Sequence, residues 1–201
     1  MEPKEEIAKK LLERRILVMT GEITKEKVDE VRSGLIWLNA LSNDEIKLII
    51  DTKGGECEPG FWLVDFVQML SAPVIGIVNG ECYSIGIAIL QGCRKRLATP
   101  HSWFQVHFTG GTFRYAPRDE KREKKFEIRL TQSQKVQEQM LQLLSSRTGK
   151  TPKEIIALCE KGEKYDWRFS ASEAKELGFV DKVVEKFELF PAPPLTTPPT
   201  P

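Results

Sequence analysis

The sequence predicts an α/β fold. Short apolar runs closed by glycine or proline recur along the chain, and amphipathic stretches stepping by three and four stand between them. No repeat of fixed period is evident, which sets solenoids and propellers aside. The 201 residues are enough for one domain with a substantial core. That domain is placed at residues 1–190, with a disordered, extended proline-rich tail over 191–201.

The elements follow in order. Glu5 to Arg14 reads as a short charged helix with Ile7, Leu11 and Leu12 on one side. Arg15-Ile16-Leu17-Val18-Met19-Thr20-Gly21 is a strand ended by glycine. Thr24 caps a helix whose apolar positions are Val28, Val31, Leu35, Leu38 and Leu41. Ile46 to Asp51 is the next strand, closed by Thr52-Lys53-Gly54-Gly55. A helix from Glu56 to Leu70 carries Phe61, Trp62, Val64, Phe66 and Met69. The apolar run Pro73 to Asn79 is a buried strand, and Ile85, Ile87, Ala88, Ile89 and Leu90 are dense enough for a buried helix ending near Gly92.

Arg96-Leu97-Ala98 is a short strand. Trp103 to Phe108 alternates, with Phe104, Val106 and Phe108 on one face and Trp103, Gln105 and His107 on the other. Gly110 to Arg118 is irregular. A long helix from Glu120 to Arg147 bears Phe126, Leu130, Val136, Met140, Leu143 and Leu144 as its apolar stripe. Thr151 with Glu154, and Ser170 with Glu173, fit capping boxes, and Gly178 supplies the left-handed end of the second helix. Phe179 to Val184 is a closing strand.

Thirty Lys and Arg against twenty-nine Asp and Glu give a net charge of +1, which offers no electrostatic case for nucleic acid or an anionic membrane. No apolar run approaches a membrane span, and the acidic N-terminus lacks the order of a signal peptide. Cys57, Cys82, Cys93 and Cys159 lack metal or disulfide spacing and read as reduced thiols of a cytoplasmic protein. No metal or cofactor is called for.

Candidate chemistry centres on Gly80-Glu81-Cys82-Tyr83-Ser84-Ile85-Gly86, where a strand hands over to a helix. Unpaired N–H groups at a helix N-terminus suit an oxyanion, and Ser84 sits beside them. The plainer reading is a small residue at a tight turn. A nucleophilic serine needs a base, and the two histidines, His101 and His107, both follow it. No Asp or Glu separates Ser84 from His107, so the order Ser-Asp-His is closed and the acid must lie downstream. Most carboxylates there belong to charged helix faces. Asp166 differs, lying next to Tyr165 and Trp167 and just ahead of the cap at Ser170. Such a triad is recognised by geometry, so spacing leaves a structural role open for each residue. Gly54-Gly55 after a strand lets the backbone approach a ligand, and with the Ile85 N–H makes a two-donor site.

These residues resemble the proteolytic subunit of the Clp protease. The shared features are the Gly-Gly pair at 54–55, Gly80-x-x-x-Ser84-x-Gly86, Val106-His107, Asp166 ahead of Ser170-Ala171-Ser172-Glu173-Ala174, and Gly178-Phe179-Val180-Asp181. The similarity covers roughly residues 11 to 186 and makes this a divergent member. It implies a crotonase-like fold of stacked strand-strand-helix units with a protruding handle helix, and a serine endopeptidase. Ser84 would attack, His107 would shuttle the proton, and Asp166 would orient the imidazole. Gly55 and Ile85 would hold the oxyanion, while Gly54, Gly110 and Gly111 would align substrate. The implied partners are unfolded protein or peptide, further copies in homo-oligomeric rings, and an AAA+ ATPase unfoldase.

Departures from the family pattern are Lys53 for the proline before Gly-Gly, Phe108-Thr109 for Gln-Pro, and Tyr165 for an arginine. The chain opens almost at its first helix, where the family carries an axial segment. Lys53 beside the oxyanion donors is a candidate for favouring acidic residues near the cleaved bond. A catalytically silent ring subunit is the alternative. A third reading, acyl-CoA chemistry, would draw on Glu56, Glu58 and Glu81.

Overall fold

The computed structural model describes residues 3–107, 120–162 and 166–186. Fourteen elements alternate along them: α1 (Pro3–Glu13), β1 (Ile16–Thr20), α2 (Lys25–Leu41), β2 (Ile46–Thr52), α3 (Cys57–Met69), β3 (Val74–Tyr83), α4 (Ile85–Gly92), β4 (Lys95–Ala98), β5 (Trp103–His107), α5 (Glu120–Thr148), α6 (Pro152–Glu160), β6 (Asp166–Ser170), α7 (Ala171–Glu176) and β7 (Lys182–Val183). The tail at 191–201 and the irregular segment read at 110–118 lie outside the described residues.

Strands run β1-β2-β3-β4-β7, all parallel, with helical crossovers. Parallel strands are covered on both faces, and Val74 to Val78 are accordingly all buried. β3 is longer than its apolar run suggests. It continues through Gly80 to Tyr83, leaves β4, and takes β5 as a new parallel partner. The switch is built at Gly80, whose φ of +125° suits glycine; a Cβ there would lie 2.4 Å from the Asp51 carboxylate. The β2–β3 register breaks at the same place, and Asp51 Oδ1 accepts the Glu81 N–H at 2.9 Å.

β6 is the one strand that the sequence reading lacked. It runs antiparallel to β5, burying Phe169 against Phe104 and Phe179. Both capping boxes form, at Thr151 and at Ser170. The closing strand is shorter than expected, reduced to Lys182–Val183.

Periodicity overstated the core at several positions. Val28, Val31, Leu35 and Leu38 are buried on α2, but Leu41, its last residue, is 61% exposed. On α3 the inward residues are Leu63, Val64 and Val67, leaving Trp62 and Met69 outside. Among the described side chains of α5, the buried ones are Met140 and Leu144 near its end, and Leu130 is exposed. The helix therefore projects from the sheet as a handle.

Candidate active site

Ser84 occupies a sharp corner between β3 and α4. Its φ of +53° and ψ of −127° fall where non-glycine residues are strained, at a cost of about 1–3 kcal/mol. Such a conformation persists only where its surroundings over-determine it. Here the Ser84 N–H donates to the Gln105 carbonyl at 2.9 Å, and the Ser84 carbonyl accepts the Ile87 N–H at 3.0 Å. Although Ser84 is the N-cap of α4, its hydroxyl makes no capping hydrogen bond. Ser84 itself is half-buried at this corner.

The bond to Gln105 brings β5 alongside, and His107 is two residues further on that strand, roughly 7 Å away by strand geometry. β5 buries Phe104 and Val106, so Trp103, Gln105 and His107 share the opposite face. On β6, Trp167 and Phe169 turn to the core, leaving Asp166 and Arg168 on that same open face. His107 is paired in register with Asp166. Of the two aromatic sequence neighbours of Asp166, the described one does not flank it in space. Trp167 points to the other side of the sheet, and the carboxylate is exposed.

Gly54 and Gly55 follow β2 with φ of +97° and +156°. A Cβ on Gly54 would lie 2.7 Å from the Ser84 Cβ and 3.3 Å from its Oγ, so only glycine lets the loop approach the serine so closely. The Gly54 N–H is occupied by Thr52 Oγ1 at 3.0 Å. Ile23 bridges the loop by donating to the Gly54 carbonyl at 2.9 Å and accepting the Glu56 N–H at 2.8 Å. This pattern turns the intervening Gly55 amide away from Ile23. Gly55 is exposed, and Ile85 is the first residue of α4, whose N–H has no intrahelical acceptor.

Gly86 packs against Thr52, where a Cβ would come within 2.5 Å of Cγ2, and Gly60 against Ile85 in the same way at 2.2 Å from Cγ1. The helix start and the Gly-Gly loop are therefore fixed to one another by missing side chains. Gly110, Gly111 and Phe108-Thr109 lie outside the described residues, as does Tyr165.

A profile of the Clp protease family matches residues 2–187. The chain belongs to the Clp protease family. Among solved structures, a ClpP1 mutant from Listeria monocytogenes is similar, with 26% sequence identity and a TM-score of 0.76. The match covers 91% of this chain and 98% of that one. The fold is thus the crotonase-like ClpP fold, and the family is one of serine peptidases. Among the described residues no helix of this Clp protease family member is long and apolar enough to cross a membrane.

Next to these groups is a cluster that sequence reasoning did not single out. Lys53 Nζ is 3.5 Å from Glu81 Oε2, and Arg168 Nη2 is 3.8 Å from Glu81 Oε1. Arg168 also donates to the Tyr83 hydroxyl and lies 5.1 Å above that ring. A hydrogen bond from Tyr83, with Lys53 and Arg168 beside it, holds Glu81 below the usual carboxylate range; burial pushes the Tyr83 phenol up. The available signal was strand alternation, since Glu81 and Tyr83 are two apart, as are Asp166 and Arg168. Glu81 is thus engaged by two cations, while Glu56 and Glu58 are exposed at the start of α3.

Proposed function

We propose that this chain is a serine endopeptidase subunit of the Clp type, degrading unfolded protein or peptide inside an oligomeric chamber. The observation that carries the reading is the in-register pair His107–Asp166 on a strand bonded to the strained corner at Ser84. Ser84 Oγ attacks the scissile carbonyl carbon while its proton passes to His107. Asp166 orients the imidazole. The tetrahedral oxyanion accepts from the Gly55 and Ile85 N–H groups, which need no reorganisation to receive it. Collapse breaks the C–N bond, and the His107 proton leaves with the amine. Water then repeats the sequence on the acyl-serine.

Gly54, Gly110 and Gly111 align the substrate strand beside this centre. Homo-oligomeric rings build the chamber, with α5 as the projecting contact element, and an AAA+ ATPase delivers unfolded chains. The setting is cytoplasmic.

The test is labelling by a serine-directed fluorophosphonate, together with sizing of the native particle and assay on casein and a short fluorogenic peptide. The expected result is labelling that Ser84→Ala abolishes, on a particle many subunits in size. Intact protein that takes no label would instead assign the chain to a silent ring subunit.

A further inference from the structure

We propose that Lys53, Glu81, Tyr83 and Arg168 form a positioning brace that holds the oxyanion loop, the nucleophile strand and the acid strand in mutual register. The inference rests on the peptidase reading above. Three of the elements around the site contribute to the cluster: Lys53 from the loop before Gly54-Gly55, Glu81 and Tyr83 from β3 before Ser84, and Arg168 from β6 two residues after Asp166.

Each element also needs a tether. Two successive glycines give the loop the widest backbone freedom, and its Lys53 is tied to Glu81 at 3.5 Å. Ser84 holds a strained φ, so the residue ahead of it must be fixed; Tyr83 is only 6% exposed and its hydroxyl is engaged by Arg168 and Glu81. Among the described residues β6 pairs with β5 alone, so its hold on β3 is indirect. Arg168 supplies the direct link, reaching past Gln105, with which both Arg168 and Tyr83 are in register. Glu81 is the hub, with a different cation at each oxygen.

Isolated surface ion pairs contribute little because the side chains must be ordered and water screens them. Here one carboxylate orders two cations, and the Tyr83 ring under the guanidinium restricts the arginine further. The gain is in geometry. A triad displaced by a fraction of an ångström loses rate while still binding substrate.

The experiment measures kcat and KM on a fluorogenic peptide, the rate of fluorophosphonate labelling, and Tm, for the full chain and its variants. Glu81→Gln and Arg168→Ala are expected to lower kcat and labelling rate roughly three- to tenfold with KM within about twofold, as loss of alignment does. Arg168→Lys recovers part of the loss. Raising ionic strength from roughly 0.05 M to about 0.5 M lowers wild-type kcat and leaves Glu81→Gln flat, because exposed pairs are screened. Asp29→Asn, which breaks two exposed pairs on α2, leaves both rates unchanged. Tyr83→Phe conserves volume and carries the test if Glu81→Gln does not fold.

Variants that lose Tm but keep kcat would overturn the brace in favour of a merely stabilising network. A rise in KM at constant kcat would overturn it in favour of substrate contact. Wild-type protein that takes no label sinks the peptidase reading and the brace together, whereas equal labelling of wild type and variants sinks the brace alone.

Discussion

His107 and Asp166 stand opposite each other across the antiparallel pair β5–β6, on a face that the buried residues Phe104, Val106 and Phe169 fix by alternation. Opposed residues in such a ladder bring their Cβ atoms within about 5 Å, close enough for a carboxylate to hold an imidazole. Asp166→Asn keeps the shape and removes the carboxylate that would orient the imidazole. The expected result is a fall in kcat of about a thousandfold or more with little change in KM. Because Asp166 is exposed, stability should move by no more than about 0.5 kcal/mol. Steady-state kinetics with a denaturation curve check both halves.

Ser84 should show different stability responses to two small replacements. Ser84→Ala removes the hydroxyl but keeps a Cβ, so the strain at φ +53° remains and stability is nearly unchanged. Ser84→Gly removes the Cβ as well, and glycine adopts this region freely. The glycine variant should gain about 1 kcal/mol despite glycine's larger unfolded-state entropy, while both variants lose fluorophosphonate labelling. Parallel urea titrations read the difference. Equal stability of the two would show that the corner is not strained.

Much of this arrangement was legible in the sequence because local chemistry set it. Thr151 and Ser170 read as caps and are caps, and the alternation over Trp103 to His107 placed His107 on the open face. What was not legible depends on partners. β3 looked finished at Asn79 because its second half is less apolar, yet it extends to Tyr83 by exchanging β4 for β5. β6 went unread because Asp166-Trp167-Arg168-Phe169-Ser170 carries only two apolar residues, too few to declare a strand before β5 is known to lie beside it. The Glu81–Arg168 contact needs that strand, so the alternation of Asp166 and Arg168 could point to it only once β6 is recognised.

Gly55 offers a test of the proposed oxyanion loop that leaves the proposed triad intact. A Cβ there would sit 2.2 Å from the Ile23 carbonyl oxygen, which is backbone and cannot swing aside. Gly55→Ala must therefore break the Ile23 bridge and carry the Gly55 N–H out of position. Loss of one oxyanion donor costs about a hundredfold or more in kcat. That fall is expected with Ser84 still labelled, more slowly, by the fluorophosphonate. Kinetics matching wild type would remove Gly55 from the oxyanion site.

Asp181 should govern the acid limit of stability. Its carboxylate takes Arg96 Nη2 at 2.5 Å and the Arg96 N–H at 2.7 Å, while Arg96 Nη1 donates to Gln91 Oε1 at 2.6 Å and the Gly178 carbonyl at 2.8 Å. Burial alone would raise the Asp181 carboxyl, but the hydrogen bonds and charge of Arg96 outweigh it and hold the group below its ordinary value. A depressed folded value means the contribution is complete above the unfolded pKa of about 3.9 and is lost as pH falls through the folded one. Removing one partner of a buried pair costs about 3–5 kcal/mol, and with Asp181 39% exposed the expectation for Asp181→Asn drops to about 2 kcal/mol at neutral pH. The gap between variant and wild type should close as the solution is acidified below the folded value. Because this network anchors α7, and through it the end of β6, Asp181→Asn should also lower peptidase activity as it approaches its lower Tm. Thermal unfolding of both proteins across the acid range, with activity followed in parallel, tests the whole sequence of effects.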